Sequence, residues 1–246
     1  MKIILTITSC KRLNLFEKTI QSFCLKFQNI NMINKVLLFD DSSNPQERIK
    51  MFEILQENFK NVEISFILFE KESFKQNRHR EIIKIWHDQI KKYDFCFHLE
   101  DDWECVERFD IEEDLLFLKK NKNVIGINYT WDKFKFFPIE FQNLIHYDRY
   151  WEWPFERRLW DIGFWFQPYI DEYVLHTVPG FTLRPTLYHI KKLKKIQISN
   201  SNQNFELNTG LDMKENYKMY LTNKKKFIHL ANSESESAYF INGDIR

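Results

Sequence analysis

The stretch FCFHLEDDW, residues 95–103, joins a short apolar run to three successive carboxylates. Residues 95–99 have the length and composition of a buried β-strand, and Glu100, Asp101 and Asp102 follow at its carboxyl end. Ligands of open α/β sheets bind outside the carboxyl ends of the strands. Adjacent carboxylates repel one another unless a cation or hydrogen-bond donors occupy the site, so the stretch predicts a divalent metal with a diphosphate. The alternative is an acidic turn before a helix that begins near Asp110, because carboxylates favour helix starts.

Short apolar runs alternate with helical periodicity through the first half of the chain, which is typical of βαβ units around a mostly parallel sheet. Strands are predicted at residues 3–7, 36–39, 62–69, 95–99 and 124–129. Helices are predicted where apolar residues recur at spacings of three and four. The faces assigned to the first two helices are Phe16, Ile20, Phe23 and Phe27, and then Ile49, Phe52, Leu55 and Phe59. We therefore expect an α/β fold with helices flanking a mostly parallel central sheet.

The second half of the chain has a different pattern. Residues 131–173 lose all periodicity and are rich in aromatic and charged side chains, which predicts loops and short antiparallel strands. Arg184-Pro185 is predicted to open a helix that contains Leu187, Ile190 and Leu193, and another helix is predicted near residues 206–215. Two short strands, 218–221 and 227–230, follow before a polar tail. Residues 1–130 and 131–246 are thus expected to be two halves of one domain.

The overall charge and composition exclude several classes of protein. The 246 residues include 36 Lys and Arg against 35 Asp and Glu, so no chain-wide positive field is available for nucleic acid. Aromatic residues make up 17% of the chain, which is far more than disordered proteins carry. The amino-terminal apolar run is much shorter than the ~20 residues that span a bilayer. We expect a cytoplasmic globular protein without a transmembrane segment.

A second acidic pair, Asp40-Asp41, also follows a predicted buried strand. Two acidic pairs on parallel strands should converge at the same edge of the sheet. Carboxylates there could accept hydrogen bonds from the imide of a uracil or from a ribose hydroxyl. The alternative for this segment is a strand-to-helix turn, and for Ser42 and Ser43 a helix-capping role is the better interpretation.

The order ILTITSCKR (4–12), LLFDDSS (37–43) and HLEDDWE (98–104) resembles the amino-terminal half of family 2-like GT-A glycosyltransferases. The EDDW segment looks like a variant of their Asp-x-Asp motif. The resemblance implies that Asp102 ligates Mn²⁺ or Mg²⁺, that Glu100 faces the ribose or the metal's water shell, and that Asp41 or Asp40 holds the base. The full set of donor contacts that it implies is Ser9, Arg12, Asp40, Asp41, Arg78, Glu100 and Asp101.

The carboxyl-terminal half adds a weaker match to the same enzymes. FTLRPTLY (181–188) looks like their acceptor-side segment, and NYKMYLTNKKKFIHLA (216–231) resembles their closing pattern. The resemblance implies that His229 is a metal or diphosphate ligand and that Glu206, in NFELNTG (204–210), is the catalytic base, with Asp212 as the second choice.

The function implied is metal-dependent transfer of a sugar from a nucleotide-sugar, a UDP-sugar first, to a hydroxyl of a glycan or other acceptor, with inversion. Two alternatives remain. A sugar-nucleotidyltransferase normally has a Gly-rich basic loop after the first strand, whereas residues 8–12 here contain no Gly. A non-catalytic nucleotide- or sugar-binding module would retain the sheet without turnover.

Overall fold

The computed structural model of the chain describes residues 1–69, 78–130, 173–176, 183–198, 205–213, 216–222 and 226–230. Its strands are β1 (Ile3–Ser9), β2 (Ile33–Asp41), β3 (Glu63–Phe69), β4 (Phe95–Glu100), β5 (Trp103–Cys105), β6 (Val124–Asn128), β7 (Tyr173–His176), β8 (Thr186–His189), β9 (Lys218–Thr222) and β10 (Phe227–His229). Its helices are α1 (Leu13–Lys26), α2 (Pro45–Asn58), α3 (Arg78–Ile90), α4 (Glu112–Lys120), α5 (Ile190–Leu193) and α6 (Phe205–Met213), with a 3₁₀ turn at Ile30–Met32.

Eight of these strands form one mixed sheet in the order β3-β2-β1-β4-β8-β6-β9-β7. Strands β3, β2, β1 and β4 are parallel neighbours, and β6 is parallel to β9. Strand β8 runs antiparallel between β4 and β6, and β7 runs antiparallel to β9. The prediction of an α/β fold with a mostly parallel central sheet is confirmed.

Both faces of the sheet are covered, as the alternation of side chains along β1 shows. Ile3, Leu5 and Ile7 belong to one hydrophobic core with apolar residues of α1, α2 and α4. Ile4 points to the other face, into a second core with residues of α3, α5 and α6. Successive side chains of a strand point to opposite faces, so a strand covered on both sides reads as a continuous apolar run. This is why the first strand could be recognised in the sequence.

Helix α2 is present as predicted, but of its four predicted face residues only Leu55 and Phe59 are buried. Met51 and Leu55 are fully buried, whereas Ile49 is 58% and Phe52 is 38% exposed. Each residue turns a helix by about 100°, so each step of three, from Ile49 to Phe52 to Leu55, falls about 60° short of a full turn, and only Leu55 reaches the core. The step of four from Met51 to Leu55 stays on one face. The helix begins at a capping box formed by Asn44 and Glu47, so the cap is neither Ser42 nor Ser43.

The helix predicted after Arg184-Pro185 is wrong for its first turn, since residues Thr186–His189 form strand β8. Leu187 and Tyr188 are both fully buried, and they lie in the two different cores. That arrangement requires a strand between two covered faces. Strand β6 approaches β8 so closely that a Cβ added at Gly126 would lie 3.0 Å from a ring carbon of Tyr188 and 3.2 Å from the Leu187 carbonyl oxygen.

A two-stranded antiparallel ribbon of β5 and β10 stands apart from the main sheet and was not predicted as a pair. The loops and short strands expected in residues 131–172, and the polar tail beyond residue 230, lie outside the described residues. In the described part of the chain, no helix has both the length and the apolar composition needed to span a membrane.

Candidate functional site

The carboxyl ends of three neighbouring parallel strands, β2, β1 and β4, bring the two acidic segments to one edge of the sheet. Ser9 at the end of β1 lies opposite Asp40 on β2, and Thr8 lies opposite Glu100 on β4. The predicted convergence of the two acidic segments is therefore observed. The loop between β1 and α1 lies between them, and it supplies the main positive charge of the site.

Arg12, at the start of α1, bridges two carboxylates of the acidic run. Its Nη1 donates to Asp102 Oδ2 at 2.8 Å, its Nη2 donates to Asp101 Oδ1, and its Nε lies 3.4 Å from Asp101 Oδ2. The Arg12 side chain is only 8% exposed. Burial alone would lower the pKa of Arg12, but the charges of the two carboxylates outweigh it and raise that pKa. Arg12 therefore stays charged and fixes the spacing of the two acids.

Asp101 faces the interior of the protein. It is completely buried, and its carboxylate also accepts hydrogen bonds from Ser9 Oγ at 2.9 Å and from the Cys10 N–H at 3.0 Å. Thr19 Oγ1 donates to the Asp101 carbonyl oxygen at 2.9 Å. Burial raises the pKa of the Asp101 carboxyl to about 6, against the opposing charge of Arg12. In this geometry Asp101 and Ser9 fix the β1–α1 loop and the position of Arg12.

Asp102 and His229 meet although 127 positions separate them in the sequence. His229 Nε2 lies 3.2 Å from Asp102 Oδ2. The β5–β10 ribbon brings them together, since His229 lies opposite Trp103 and the Leu230 N–H donates to the Asp102 carbonyl oxygen at 2.7 Å. Burial works to raise the pKa of Asp102, but the hydrogen bond from His229 and the charge of Arg12 hold it below its usual value. The same hydrogen bond raises the pKa of His229.

The donor set at Asp102 fits a divalent cation. Asp102 Oδ2 accepts from Arg12 and His229, whereas the buried Oδ1 has no hydrogen-bond partner among the described residues. The described residues contain no cluster of three or more His, Cys, Asp or Glu side chains suited to a metal. A metal here would therefore complete its shell with phosphate oxygens and water, as Mg²⁺ commonly does with one or two protein carboxylates.

Trp103 links Glu100, His229 and a residue that sequence reasoning missed, Arg184. The indole Nε1 donates to Glu100 Oε2 at 3.0 Å, and the indole ring meets the His229 ring edge-on at a centroid distance of 5.0 Å. The guanidinium carbon of Arg184 lies 5.9 Å from the centroid of the same indole. Assigning Arg184 to a helix start concealed its position, because the strand pairing of β8 is what brings it here.

The two acids of the Asp40-Asp41 pair have different environments. Asp40 is completely buried, and its Oδ2 accepts a hydrogen bond from Arg48 Nε of α2 at 2.7 Å. This ion pair attaches β2 to α2, and the donor contact expected of Asp40 stays a prediction. Asp41 is partly exposed and accepts from Ser42 Oγ at 3.1 Å. Ser42 has a φ of 66°, in the left-handed region, where the chain turns away from the sheet.

The remaining candidates are placed only in part. Glu206 falls in α6, but its side chain lies outside the described residues, as does that of Arg78 at the start of α3. Asp212, also in α6, is exposed. The identity of the catalytic base therefore stays a sequence prediction.

Comparison with known proteins gives matches in structure only. No protein-family model matches the sequence, and no curated protein matches it either. Solved structures with similar folds include S. aureus TarS 1-349 in complex with UDP-GlcNAc, with a TM-score of 0.55, 11% identity, and coverage of 98% of this chain and 64% of that one. GalNAc-T7 with UDP, GalNAc and Mn²⁺ has a TM-score of 0.57 at 12% identity, covering 97% of this chain and 46% of that one. A mycobacterial protein has a TM-score of 0.58 at 9% identity, covering 98% of this chain and 71% of that one.

The chain thus spans less than two thirds of the TarS and GalNAc-T7 chains that it matches. Identities of 9–12% are too low to transfer an activity or a substrate. The structural matches themselves, which cover 97–98% of this chain at TM-scores of 0.55–0.58, do show the fold. The protein has the α/β fold of the GT-A glycosyltransferases TarS and GalNAc-T7.

Proposed function

We propose that the protein is a metal-dependent glycosyltransferase that uses a nucleotide-sugar donor, a UDP-sugar first, and a hydroxyl acceptor on a glycan or another molecule. The observation that carries the proposal is the Asp102–His229 pair at the carboxyl edge of the sheet, with a buried carboxylate oxygen that has no partner among the described residues. The fold supports the proposal as well, because similar structures were determined with UDP-GlcNAc and with UDP, GalNAc and Mn²⁺.

Residues 1–130 would bind the donor, and residues 131–246 would bind the acceptor and supply the base. Asp41 is the accessible acid at the end of β2, so it would accept hydrogen bonds from the nucleoside. Glu100 would orient the ribose while it holds the Trp103 indole at 3.0 Å. Arg12 would act through the two carboxylates that it bridges, because its guanidinium is already bonded to both of them.

Asp102 and His229 would hold Mn²⁺ or Mg²⁺, with Asp102 Oδ1 as the available carboxylate oxygen. A divalent ion bound there would offset the negative charge that builds on the departing diphosphate. Arg12 retains its positive charge next to Asp102 and keeps that carboxylate ionised, which a hard cation requires.

For the base we propose Glu206, with Asp212 as the second choice. The carboxylate would take the proton of the acceptor hydroxyl while the oxygen forms a bond to the anomeric carbon. The bond from that carbon to the diphosphate oxygen would break, and its electron pair would leave with the diphosphate. Attack on the face opposite the leaving group inverts the anomeric centre, and a well-placed base typically contributes about 10²–10⁴-fold to the rate.

A thermal-shift panel of UDP-, GDP-, CMP- and dTDP-sugars, with and without Mn²⁺, tests the proposal. A ligand at about 100 times its Kd stabilises the folded state by about 2.7 kcal/mol, which corresponds to roughly 5–10 °C for a chain of this size. We expect the largest shift with a UDP-sugar and Mn²⁺, together with donor hydrolysis or transfer. Binding without turnover would indicate the non-catalytic module, and the absence of any shift in the whole panel would contradict the proposal.

A further inference from the structure

Strand β8 brings its amino end to the functional edge of the sheet. Its antiparallel pairing sets Thr186 opposite His98 and Leu187 opposite Phe97 on β4. Moving from Leu187 towards Arg184 therefore means moving along β4 towards its carboxyl end, where Glu100 lies. Arg184 therefore reaches the site from the antiparallel strand β8, whereas the acidic residues lie on the parallel strands.

The Trp103 indole is a fixed surface for the Arg184 side chain. The indole is 7% exposed, its Nε1 is bonded to Glu100, and its ring meets His229 edge-on. The Arg184 guanidinium carbon is 5.9 Å from the indole centroid, within the range of a cation–π contact. A guanidinium presents a planar set of N–H donors that matches phosphate in a bidentate contact.

The negative charge of the site favours a further cationic side chain beside the diphosphate. Glu100 and Asp102 bring two carboxylates to the place where a diphosphate is expected, with Asp101 buried beside them, and Arg12 is already bonded to Asp101 and Asp102. An incoming diphosphate adds more negative charge, which one divalent metal only partly balances.

We propose that Arg184, held against the Trp103 indole, binds the diphosphate of the donor. The inference rests on the proposed function, because it names a ligand contact within the same site. It differs from the metal assignment in one testable respect. A guanidinium binds phosphate directly, so its contribution should persist when no divalent ion is present.

The experiment is calorimetric titration of the full chain with UDP, pyrophosphate and uridine, in EDTA and again in Mn²⁺. The variants are Arg184→Gln, Arg184→Lys and, as a matched control, Arg108→Gln at an exposed position. Hydrogen bonds to charged groups are strong enough that Arg184→Gln should weaken UDP and pyrophosphate binding at least about tenfold under both conditions. Uridine carries no phosphate, so its affinity should equal that of the wild type. Arg184→Lys retains the positive charge but not the planar set of donors, so its affinity for UDP and pyrophosphate should fall by less than that of Arg184→Gln.

Equal affinity of wild type and Arg184→Gln for UDP and pyrophosphate would overturn the inference while leaving the proposed function intact. A loss that includes uridine to the same extent would also overturn it, because the residue would then support the site as a whole. If Arg184→Gln is destabilised in a thermal scan, Arg184→Lys supplies the comparison, and a lysine variant indistinguishable from wild type for pyrophosphate counts against the bidentate contact. Failure of the wild type to bind UDP, pyrophosphate or any nucleotide-sugar would overturn both proposals.

Discussion

Replacing Arg12 by Met should destabilise the fold through the charges that it leaves behind. Met retains an unbranched apolar side chain, so most of the packing of the aliphatic stem is preserved. The change removes three contacts from guanidinium nitrogens to Asp101 and Asp102, which are 0% and 7% exposed. Two buried carboxylates would then face each other without their cation.

Breaking a buried ion pair from one side typically costs about 3–5 kcal/mol, because an uncompensated charge stays in the interior. For a chain of 246 residues, a loss of that size lowers Tm by roughly 6–20 °C. The pH dependence has a definite sign. The pKa of Asp101 is about 6 in the folded protein, above its ordinary value, with Arg12 opposing the effect of burial. Without Arg12 that pKa rises further, so the variant takes up a proton at higher pH than the wild type.

A folded-state pKa above the unfolded value means that folding takes up protons, so stability rises as the pH falls through it. The difference in unfolding free energy between wild type and Arg12→Met should therefore shrink between pH 8 and pH 6, by about 1 kcal/mol or more. Urea denaturation followed by circular dichroism at both pH values measures this difference in unfolding free energy, with Arg108→Met as the exposed control. A cost below about 1 kcal/mol at pH 8, or a cost that grows on acidification, would refute the assignment of Arg12 as the cation of this buried pair.

Three further predictions concern the proposed reaction. Asp102→Asn should abolish metal-dependent transfer with the fold intact, since it removes the charge that a hard cation requires; wild-type activity across a Mn²⁺ titration would contradict this. Asp41→Ala should raise the Kd for nucleotide more than it lowers kcat, because a contact to the base is made equally in ground and transition states; a change in kcat alone argues against it. Glu206→Gln should lower kcat by at least ~10² with donor affinity unchanged. If Glu206→Gln keeps the wild-type kcat and Asp212→Asn does not, Asp212 is the catalytic base.

The parallel half of the fold could be predicted because its signals are local. Strands β1 and β4 are short, mostly apolar runs, and acidic residues mark the ends of β2 and β4. The pair of Asp102 with His229 was also anticipated, but only through the resemblance to known enzymes. Nothing in the local sequence links two residues that are brought together by pairing β5 with β10.

The remaining errors come from contacts that are distant in sequence. A four-residue segment such as β8 is too short for its periodicity to distinguish a strand from a helix. Its strand conformation depends on pairing with β4 and β6. The different environments of Asp40 and Asp41 have a more local origin. Arg48, in the helix that directly follows β2, forms an ion pair with the buried Asp40, while Asp41 stays partly exposed.

The β5–β10 ribbon also has a consequence for the order in which the protein matures. His229 is 127 positions after Asp102, and Arg12 is 90 positions before it. In a chain synthesised only as far as residue 226, β1 to β4 and Arg12 are present but β10 is not. Asp102 of such a chain would lack the His229 imidazole. Its acidic run could bind Arg12, yet the carboxylate–imidazole pair proposed to hold the metal would form only after β10 has been made.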